Sequence, residues 1–437
     1  MSRKLAVISI ATALLVVNGV VSARRADGEQ YWPQWRGPYG TGTSKQARPP
    51  AEWSETKNIR WKKEIPGRGF GTPIIWGDLI FVLTAVPQDV AGDAAHAPRG
   101  RTPGTHRYLV LALNRKDGRV VWAQVAREEA PHEGSHNEWG TWASPSAVTD
   151  GEHVIASFES RGIYAYDMKG KPVWQKDLGD KTLRNQFGEG SSPALHGNTL
   201  VVQWDHQAGS FIVALDKRTG EERWRVARDE IDGWATPLVV VSGGRPQVAT
   251  SGMKQVRSYD LETGKLLWHG GGLTMNPIPS PVAADGIVIL TSGFRGNNLK
   301  AVRVADARDA ITNTPAIVWT LDRDTPYVPS PLLYDGILYL LKSNSGILSA
   351  FDVTTGKPHY QLARLEGAPN VFSSPAGAAG RVYIPGQDGT TVVLKHGPAF
   401  EVIAQNKLDD GFNASPALVD GEIYLRGSKS LYCIAEK

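Results

Sequence analysis

The sequence predicts an all-β protein: an eight-bladed β-propeller of four-stranded antiparallel blades, closed by pairing of the N-terminal strand in the last blade. Three observations support this prediction: a hairpin motif that recurs along the chain, a Ser/Thr-Pro dipeptide that recurs at similar intervals, and an incomplete repeat at each end. Helix signals are nearly absent, whereas 47 Gly and 28 Pro punctuate short β-branched and aromatic runs.

The hairpin motif is clearest at residues 211–224, which read FIVALDKRTGEERW. An apolar run ends at Asp216, turns through Thr219 and Gly220, and returns to Trp224. Asp accepts backbone hydrogen bonds in such a turn, and Gly takes a positive φ without strain. Similar segments occupy residues 112–122, 165–174, 258–268 and 350–360. Repetition on this scale indicates stacked units, because one unit cannot bury its apolar face alone.

The second marker is a Ser or Thr followed by Pro, found eight times, at Pro73, Pro145, Pro193, Pro237, Pro281, Pro331, Pro375 and Pro416. Successive prolines are 72, 48, 44, 44, 50, 44 and 41 residues apart, and an insertion at residues 87–105 accounts for the long first interval. Four short strands in each unit of this length are typical of a propeller blade.

Within each unit we expect an innermost strand A after the Ser/Thr-Pro, then strands B, C and D. A closing residue marks strand D at Trp122, Trp174, Trp224, Trp268, Trp319, Tyr360 and Ile403. The last unit stops after strand C at residues 431–435, while residues 58–62 form an unmatched strand D before the first marker. Their pairing would close the ring and remove exposed sheet edges.

The N-terminus predicts export to the periplasm or beyond. Arg3 and Lys4 precede an apolar stretch, and Val21-Ser22-Ala23 offers a cleavage site, so residues 1–23 are interpreted as a signal peptide. An uncleaved membrane anchor is the alternative; once the signal is removed, no transmembrane segment is expected. Residues 24–57 are assigned to an N-terminal strap segment, and residues 58–437 to the propeller.

Charge and cysteine content limit the classes of partner. The formal charge of +4 falls to +2 without Arg3 and Lys4, which is too small to favour nucleic acid. Cys433 is the single cysteine, so no intrachain disulfide can form, and no cysteine near the cleavage site suggests a lipid anchor. The segment that contains Trp32 and Trp35 is predicted to lie across the propeller surface as a strap. Alternatively, the two tryptophans form an aromatic platform for a ligand.

The hairpin pattern A-x-D-x-x-T-G-x-x-x-W, matched by Ala214 to Trp224, resembles the tryptophan-docking motif of eight-bladed pyrroloquinoline quinone (PQQ) propellers. That superfamily includes quinoprotein alcohol dehydrogenases and BamB-like assembly proteins, and the resemblance covers residues 61–437. The opening W-P-x-W-R-G-P at residues 32–38 resembles the start of exported PQQ-like repeat proteins. The resemblance implies a fold; function must be argued from the site.

Two departures bear on a cofactor. The quinoprotein dehydrogenases use a vicinal Cys-Cys disulfide and a calcium or lanthanide site of Glu, Asn and Asp, whereas this chain has one Cys and no such set that its sequence identifies. We therefore expect no cofactor, with PQQ and calcium only under the alternative function.

Strand alternation places the D-to-A and B-to-C connections on one face, where most irregular polar sequence falls. We expect binding on this face, through His132, His136, Trp139, Arg184, Asn185, Asp205, His206, Trp234, Arg295 and Asn297. The insertion at residues 87–105 belongs there as a mobile flap.

Each candidate has a structural alternative. His132, Glu133, His136 and Glu138 could ligate a metal, but they lack the helical spacing of known zinc motifs, so no metal is predicted. Asp205 and His206 are neighbours on a strand and face opposite sides, which argues against a catalytic pair.

The function predicted is a non-catalytic, exported binding scaffold, BamB-like in architecture and monomeric, that engages a protein or cell-envelope polymer through this face. The alternatives are a PQQ-dependent quinoprotein oxidoreductase and a small-molecule or sugar sensor using Arg184, Trp234 and Arg295.

Overall fold

The computed structural model describes residues 28–88, 104–136 and 138–436. The predicted signal peptide, and residues 89–103 of the predicted flap, lie outside this part of the chain. The flap begins and ends as expected, between strands B and C of the first blade, where the Gln88 N–H donates to the Thr105 carbonyl (2.9 Å).

Eight antiparallel four-stranded units form the ring, two of them with one extra strand, which confirms the predicted fold class. From strand A to strand D, blades 1 to 4 comprise Ile74–Trp76, Leu79–Pro87, His106–Asn114 and Val120–Glu129; Val148–Thr149, His153–Ser157, Ile163–Asp167 and Pro172–Lys176; Ala194–His196, Thr199–Trp204, Phe211–Asp216 and Glu222–Ala227; and Leu238–Ser242, Arg245–Thr250, Gln255–Asp260 and Leu266–Gly271.

Blades 5 to 8 comprise Val282–Ala284, Ile287–Ser292, Asn298–Arg303 and Ile317–Leu321; Leu332–Tyr334, Ile337–Leu341, Ile347–Asp352 and Pro358–Arg364; Ala376–Ala378, Arg381–Pro385, Thr390–Lys395 and Val402–Lys407; and Ala417–Val419, Glu422–Arg426, Ser430–Ala435 and Ile59–Glu64. Two 3₁₀ turns, Glu159–Arg161 and Arg184–Gln186, lie in the connections of blades 2 and 3. Among the described residues, no helix is long and apolar enough to cross a bilayer.

The ring closes as predicted. The strand Ile59–Glu64 pairs antiparallel with Ser430–Ala435, and the register sets Trp61 opposite Cys433. The N-terminal and C-terminal parts of the propeller thus both contribute strands to the last blade. The sheet of this blade is complete only when these two parts pair.

The closing tryptophan has the same register in most blades. Trp224, for example, lies opposite Ala214 at the point where strand C pairs with strand D. In blade 7 the equivalent partner of Val393 is Ala404. The assignment of Ile403 is therefore wrong by one residue, because side chains alternate along a strand and the Ile403 side chain faces outward, 38% exposed.

The core is distributed between neighbouring blades. One apolar cluster, for instance, joins Ile155 and Ile163 of blade 2 to Leu200 and Val213 of blade 3. Since strand A of each blade is short and faces the channel, the broad inner strands B and C carry most of this packing. The fully buried β-branched and aromatic residues of the repeat thereby account for the regular spacing of the blades.

The N-terminal segment reaches the innermost strands of four blades. Trp32 forms a bridge with Ile75 of blade 1, and the Pro33 carbonyl accepts from the Thr149 N–H of blade 2. The Thr41 carbonyl accepts from Leu333 of blade 6, and the short strand Thr43–Ser44 adds parallel to strand A of blade 7. The segment therefore crosses the end of the central channel.

Candidate functional site

A cavity of about 370 Å³ occupies the central channel on the face that carries the D-to-A connections. Every one of these eight connections contributes at least one described residue to its lining. Such a volume lies within the range of small-ligand sites in proteins. The face chosen from strand alternation thus carries a cavity of ligand-binding size.

The wall of the cavity comes from one position of the repeat. In seven of the eight repeats, the residue two places before the marker Ser or Thr lines the cavity: Phe70, Gly190, Trp234, Ile278, Val328, Phe372 and Asn413. The chain enters strand A at the channel, so residues just before the Ser/Thr-Pro must face the axis. The variation of residue type at this position sets the chemistry of the wall.

Below this wall lies a ring of hydroxyl groups, which we call the hydroxyl ring. Each hydroxyl accepts a hydrogen bond from a backbone N–H of the preceding blade, at 2.8–3.1 Å. Its members are the marker residues Ser192, Thr236, Ser280, Ser330, Ser374 and Ser415. The marker therefore links adjacent blades, because a hydroxyl satisfies a backbone donor that strand A leaves unpaired at the channel.

The N-terminal segment supplies the floor. Trp35 lines the cavity, and its Nε1 donates to the Ser280 Oγ (3.1 Å). Beside it, Arg36 is buried and donates to the carbonyls of Pro331 and Pro375, both at 2.7 Å. Burial lowers the pKa of Arg36 to about 9. The segment is thus both a strap and, at Trp35, an aromatic surface facing the cavity.

The rim of the cavity is aromatic, and ring contacts join two of its loops. The His136 ring stacks on Trp139 at 4.4 Å between ring centroids, nearly parallel at 8°. Trp139 also contacts Phe372 from the connection between blades 6 and 7, at 4.9 Å. Since Trp139 remains 45% exposed, the loop presents a large apolar ring at the mouth of the cavity.

One polar side chain on the wall is only weakly engaged. The Asn276 side chain is 1% exposed, and neither its Oδ1 nor its Nδ2 makes a hydrogen bond of normal geometry with a described residue. The phenol of Tyr327 lies close enough to this amide for a side-chain interaction that lowers the Tyr327 pKa, although burial dominates and raises it. A buried amide without partners costs about 1–3 kcal/mol for each unpaired group, which marks it as a ligand-binding candidate.

Glu189 is the carboxylate on the cavity lining, and its oxygens are already used. Oε2 accepts from the Ser160 N–H (3.0 Å), and Oε1 accepts from the Ser160 hydroxyl. Burial raises the pKa of Glu189, with the positive charge of Lys181 acting in the opposite direction. No described residue on the lining is a Lys or an Arg, so the cavity offers almost no charge to a ligand.

Three carboxyl groups lie behind this wall, those of the buried Glu159 and of the half-buried Glu133 and Glu189. Lys181, 1% exposed, pairs with Glu159 and lies 4.6 Å above the Trp204 ring. Burial raises the pKa of Glu159 and of Glu133 to about 7 each. The carboxyls of Glu133, Glu159 and Glu189 outnumber Lys181, so at neutral pH the cluster favours bound protons.

Of the residues predicted for the site, His136, Trp139 and Trp234 line the cavity. The Trp234 side chain is fixed by a hydrogen bond from Nε1 to the Gly188 carbonyl (2.6 Å). His132 lies outside it, against a neighbouring void of only about 10 Å³, and its Nε2 contacts the Lys181 carbonyl. Of the two histidines in this loop, His136 therefore lines the cavity and His132 lies beside the neighbouring void.

Four other predicted residues are engaged between blades or turned away. Arg184 donates from Nε to Asp232 (2.9 Å), and Asn185 is exposed with a left-handed φ of 54°. Asp205 is fully buried and accepts from both Nε and Nη2 of Arg228, at 2.7 and 2.9 Å. The His206 Nδ1 accepts from the Thr182 N–H (3.2 Å), and burial lowers the pKa of this imidazole.

The remaining pair lies on the B-to-C connection of blade 5. Asn297 accepts from the N–H and the hydroxyl of Thr325, at 3.0 and 3.1 Å. Arg295 is exposed and stacks on Phe294 at 5.5 Å, while Phe294 itself lines the cavity. Arg184, Arg295 and Trp234 therefore do not form one group on the lining, as a sensor built on all three would require.

The residues of the lining do not match PQQ. PQQ is a tricarboxylic acid, so its binding calls for cations or a metal held by several carboxylates. The described lining has neither Lys nor Arg, and its carboxylate Glu189 is committed to Ser160. The donor set instead consists of hydroxyls, one unpaired amide and aromatic rings.

Several functional candidates were missed by sequence reasoning: Asn276, the hydroxyl ring, and the wall residues other than Trp234. A signal for the wall was present, because the position two before each Ser/Thr-Pro repeats at the blade interval. The signal for Asn276 was absent, since four residues before Ser280 the chain shows nothing that separates it from an ordinary loop asparagine.

Fold and site together define a class: a closed eight-bladed propeller with an aromatic, nearly uncharged cavity at its channel mouth. A family model described as outer membrane protein assembly factor BamB matches residues 18–187 and 159–310, more than half of the chain. The chain belongs to this family.

Individual relatives agree with that assignment. The chain is 24% identical over 308 residues to outer membrane protein assembly factor BamB of Yersinia pestis, covering 65% of this chain and 74% of the relative. The BamB structure from Moraxella catarrhalis superposes with a TM-score of 0.59 at 13% identity, covering 86% of this chain and 99% of that one. The structure of quinohemoprotein alcohol dehydrogenase from Comamonas testosteroni superposes with a TM-score of 0.63 at 12% identity, covering 95% of this chain and 82% of that one. At these identities the structural likeness concerns the fold alone.

Proposed function

We propose that this protein is a non-catalytic binding scaffold of the cell envelope that engages a protein partner through the face bearing the cavity. The observation that carries this proposal is the chemistry of that face. It presents an exposed Trp139 over a wall of aromatic side chains, with almost no charge. Partly exposed aromatic rings around a pocket are typical of the residues that contribute most to protein–protein affinity.

The state of the polar residues supports binding over catalysis. The adjacent Asp205 and His206 do not act on a common point, because Asp205 pairs with Arg228 and His206 accepts from Thr182. Arg184 is likewise committed to Asp232. These polar groups are already engaged within and between blades, whereas the Trp139 side chain remains 45% exposed to a partner.

Location in the periplasm is part of the proposal. It is supported by the predicted signal peptide at residues 1–23 and by kinship with proteins named for outer membrane assembly. The alternative function, a PQQ-dependent oxidoreductase, is disfavoured by the lining described above. Mixing the purified protein with PQQ and calcium tests it directly: a quinone absorbance shift with dye reduction would favour the enzyme.

Site-specific photocrosslinking in intact cells tests the binding face. A photoreactive residue is placed at Trp139 or Arg295 on the cavity face, and in matched variants at Arg218 or Lys357, beside the Thr-Gly turns of the opposite face. We expect defined protein adducts from the first pair and none from the second. Equal adducts from both faces, or none from either, would contradict the proposal.

A further inference from the structure

Asn276 shows what the cavity is built to recognise. Its carboxamide is buried on the wall beside the Tyr327 hydroxyl, and it offers one acceptor and two donor hydrogens, none of them in a hydrogen bond of normal geometry with a described residue. A neutral group that has both a donor and an acceptor can satisfy it without bringing a charge into a low-dielectric site. A peptide group of a main chain is such a group.

The hydroxyl ring supplies a second, independent set of polar atoms at the base. Each of its six hydroxyls accepts a backbone N–H, yet none donates a hydrogen bond to another described residue. The Ser280 Oγ already accepts from both Thr236 and Trp35, so its hydrogen is directed elsewhere. The hydroxyl groups at the base of the cavity can therefore form hydrogen bonds with one polar group at the end of a ligand.

Between base and rim much of the lining is apolar. The wall residues Ile278 and Val328 and the rings of Phe187 and Phe372 have no hydrogen-bonding atoms in their side chains. A sugar carries hydroxyls on all sides and would leave many of them unpaired against this wall. An amphipathic aromatic side chain has a flat apolar body and one polar tip, which matches the distribution of groups.

From these contacts we infer that the cavity receives a tyrosine or tryptophan side chain from an extended segment of the partner protein. The aromatic ring lies against the wall, its hydroxyl or indole N–H meets the hydroxyl ring, and the adjoining peptide group pairs with Asn276. This inference rests on the proposed function, since it names the feature of the protein partner that the cavity face recognises.

The test uses the full mature chain and blocked tripeptides as probes. Acetyl-Gly-Tyr-Gly-amide and acetyl-Gly-Trp-Gly-amide are compared with acetyl-Gly-Leu-Gly-amide and methyl β-glucoside, with binding followed by saturation-transfer NMR and titration. We expect both aromatic peptides to bind at least about tenfold more tightly than the leucine peptide, because leucine lacks the polar tip and the flat ring. Equal binding of the leucine peptide, or preference for the glucoside, would overturn the inference.

Asn276 has a matched control in the same molecule. Asn276 and Asn185 both adopt a left-handed backbone, with φ of 51° and 54°, but Asn185 is exposed and outside the lining. Glycine tolerates this conformation, so Asn276→Gly removes the amide without backbone strain. We expect it to weaken tyrosine-peptide binding at least about tenfold, and Asn185→Gly to leave it unchanged.

A second variant keeps the inference testable if the first one loosens the loop. Asn276→Asp retains shape and backbone preference but removes the amide donor, and should weaken the same peptide. Unchanged binding in both Asn276 variants would overturn the assignment. Rim crosslinks in cells without aromatic-peptide binding would remove this inference and leave the scaffold function standing. Peptide binding without rim crosslinks would show that the cavity accepts an aromatic side chain but would contradict the scaffold function, and with it the assignment to a protein partner.

Discussion

Apart from Trp268, the closing tryptophans contact the next blade in two ways. The Trp174 Nε1 donates to the Lys217 carbonyl of blade 3 (2.7 Å), and its ring covers Gly220 of the Thr-Gly turn. A Cβ on Gly220 would lie 2.6 Å from that ring, and the residue has a φ of 72°. The glycine of the motif is thus required twice, by its backbone conformation and by the close approach of the indole.

This double requirement can be separated experimentally. Gly197 also has a positive φ, 57°, but a Cβ there meets nothing within 4 Å. We expect Gly197→Ala to cost about 1 kcal/mol of unfolding free energy from strain alone, and Gly220→Ala to cost about 2–4 kcal/mol through the added clash. Chemical denaturation of both variants measures the difference, and equal losses would show that packing on Trp174 is irrelevant.

Arg36 is a second residue whose role depends on burial. It is 2% exposed and donates to the carbonyls of Thr41, Pro331 and Pro375. Arg36→Met keeps most of the volume but leaves these carbonyls without a donor, so we expect a loss of about 2–4 kcal/mol. The exposed Arg48 bonds only to neighbouring carbonyls, and Arg48→Met should stay within about 0.5 kcal/mol of the wild type. Thermal unfolding of the two variants gives the comparison.

At the scale of elements, one blade departs from the repeat for a visible reason. In blade 4 the Trp268 Nε1 donates to Gln247 of its own blade (2.9 Å) rather than to the next blade. The next blade carries an insertion after its strand C, and the inserted Asp309–Ala310 pairs parallel with strand D of blade 4. The insertion covers the exposed edge of blade 4 and replaces the Thr-Gly turn that other tryptophans meet.

The closing strand is the other element on which the ring depends. Cys433 lies opposite Trp61, is fully buried, and has a pKa raised by burial to about 12. Deleting residues through 64 should expose this thiol, because the strand that covers it is then absent. We expect a maleimide to label the truncated protein under native conditions and the full-length protein only after denaturation. Native labelling of the full-length chain would show that the blade opens readily.

At the scale of the whole molecule, the buried carboxyl cluster links stability to pH. Folding raises the pKa of Glu133 and Glu159 to about 7 from ordinary carboxyl values, mainly through burial. A raised carboxyl pKa stabilises the fold fully below the unfolded value, and this contribution is lost as pH rises through about 7. The lowered pKa values of His206 and His396 act in the opposite direction, at acidic pH.

The melting temperature should therefore fall between about pH 7.5 and 8.5, where unfolded histidines are mostly neutral and the carboxyls dominate. Glu133→Gln keeps an acceptor for the Leu183 N–H and removes one charge, so its melting temperature should fall less over the same interval. A wild-type melting temperature that rises over this interval would contradict the account, and differential scanning calorimetry measures it.

The repeat alone determined the number of blades, their strand order, the closing strand and the face that carries the cavity. These follow from local physics: alternation in strands, turn chemistry at Asp216 and Gly220, and the need of Trp61 and Cys433 to complete one sheet. The site was anticipated only in part, through His136, Trp139 and Trp234. The wrong assignment of Ile403 shows the limit of sequence reasoning, since an error of one residue places a side chain on the opposite face of the strand.

Only the tertiary structure decided which polar residues remain free. Asp205 and Arg228 are separated by 23 residues, and their pairing consumes a carboxylate that the sequence offered as a catalytic candidate. Trp35 and Ser280 are 245 residues apart, yet together they form the base of the cavity. The physical reason is that hydrogen-bond partners come from distant strands of the same blade, from neighbouring blades and from the N-terminal segment, so the state of a side chain depends on contacts that no local pattern encodes.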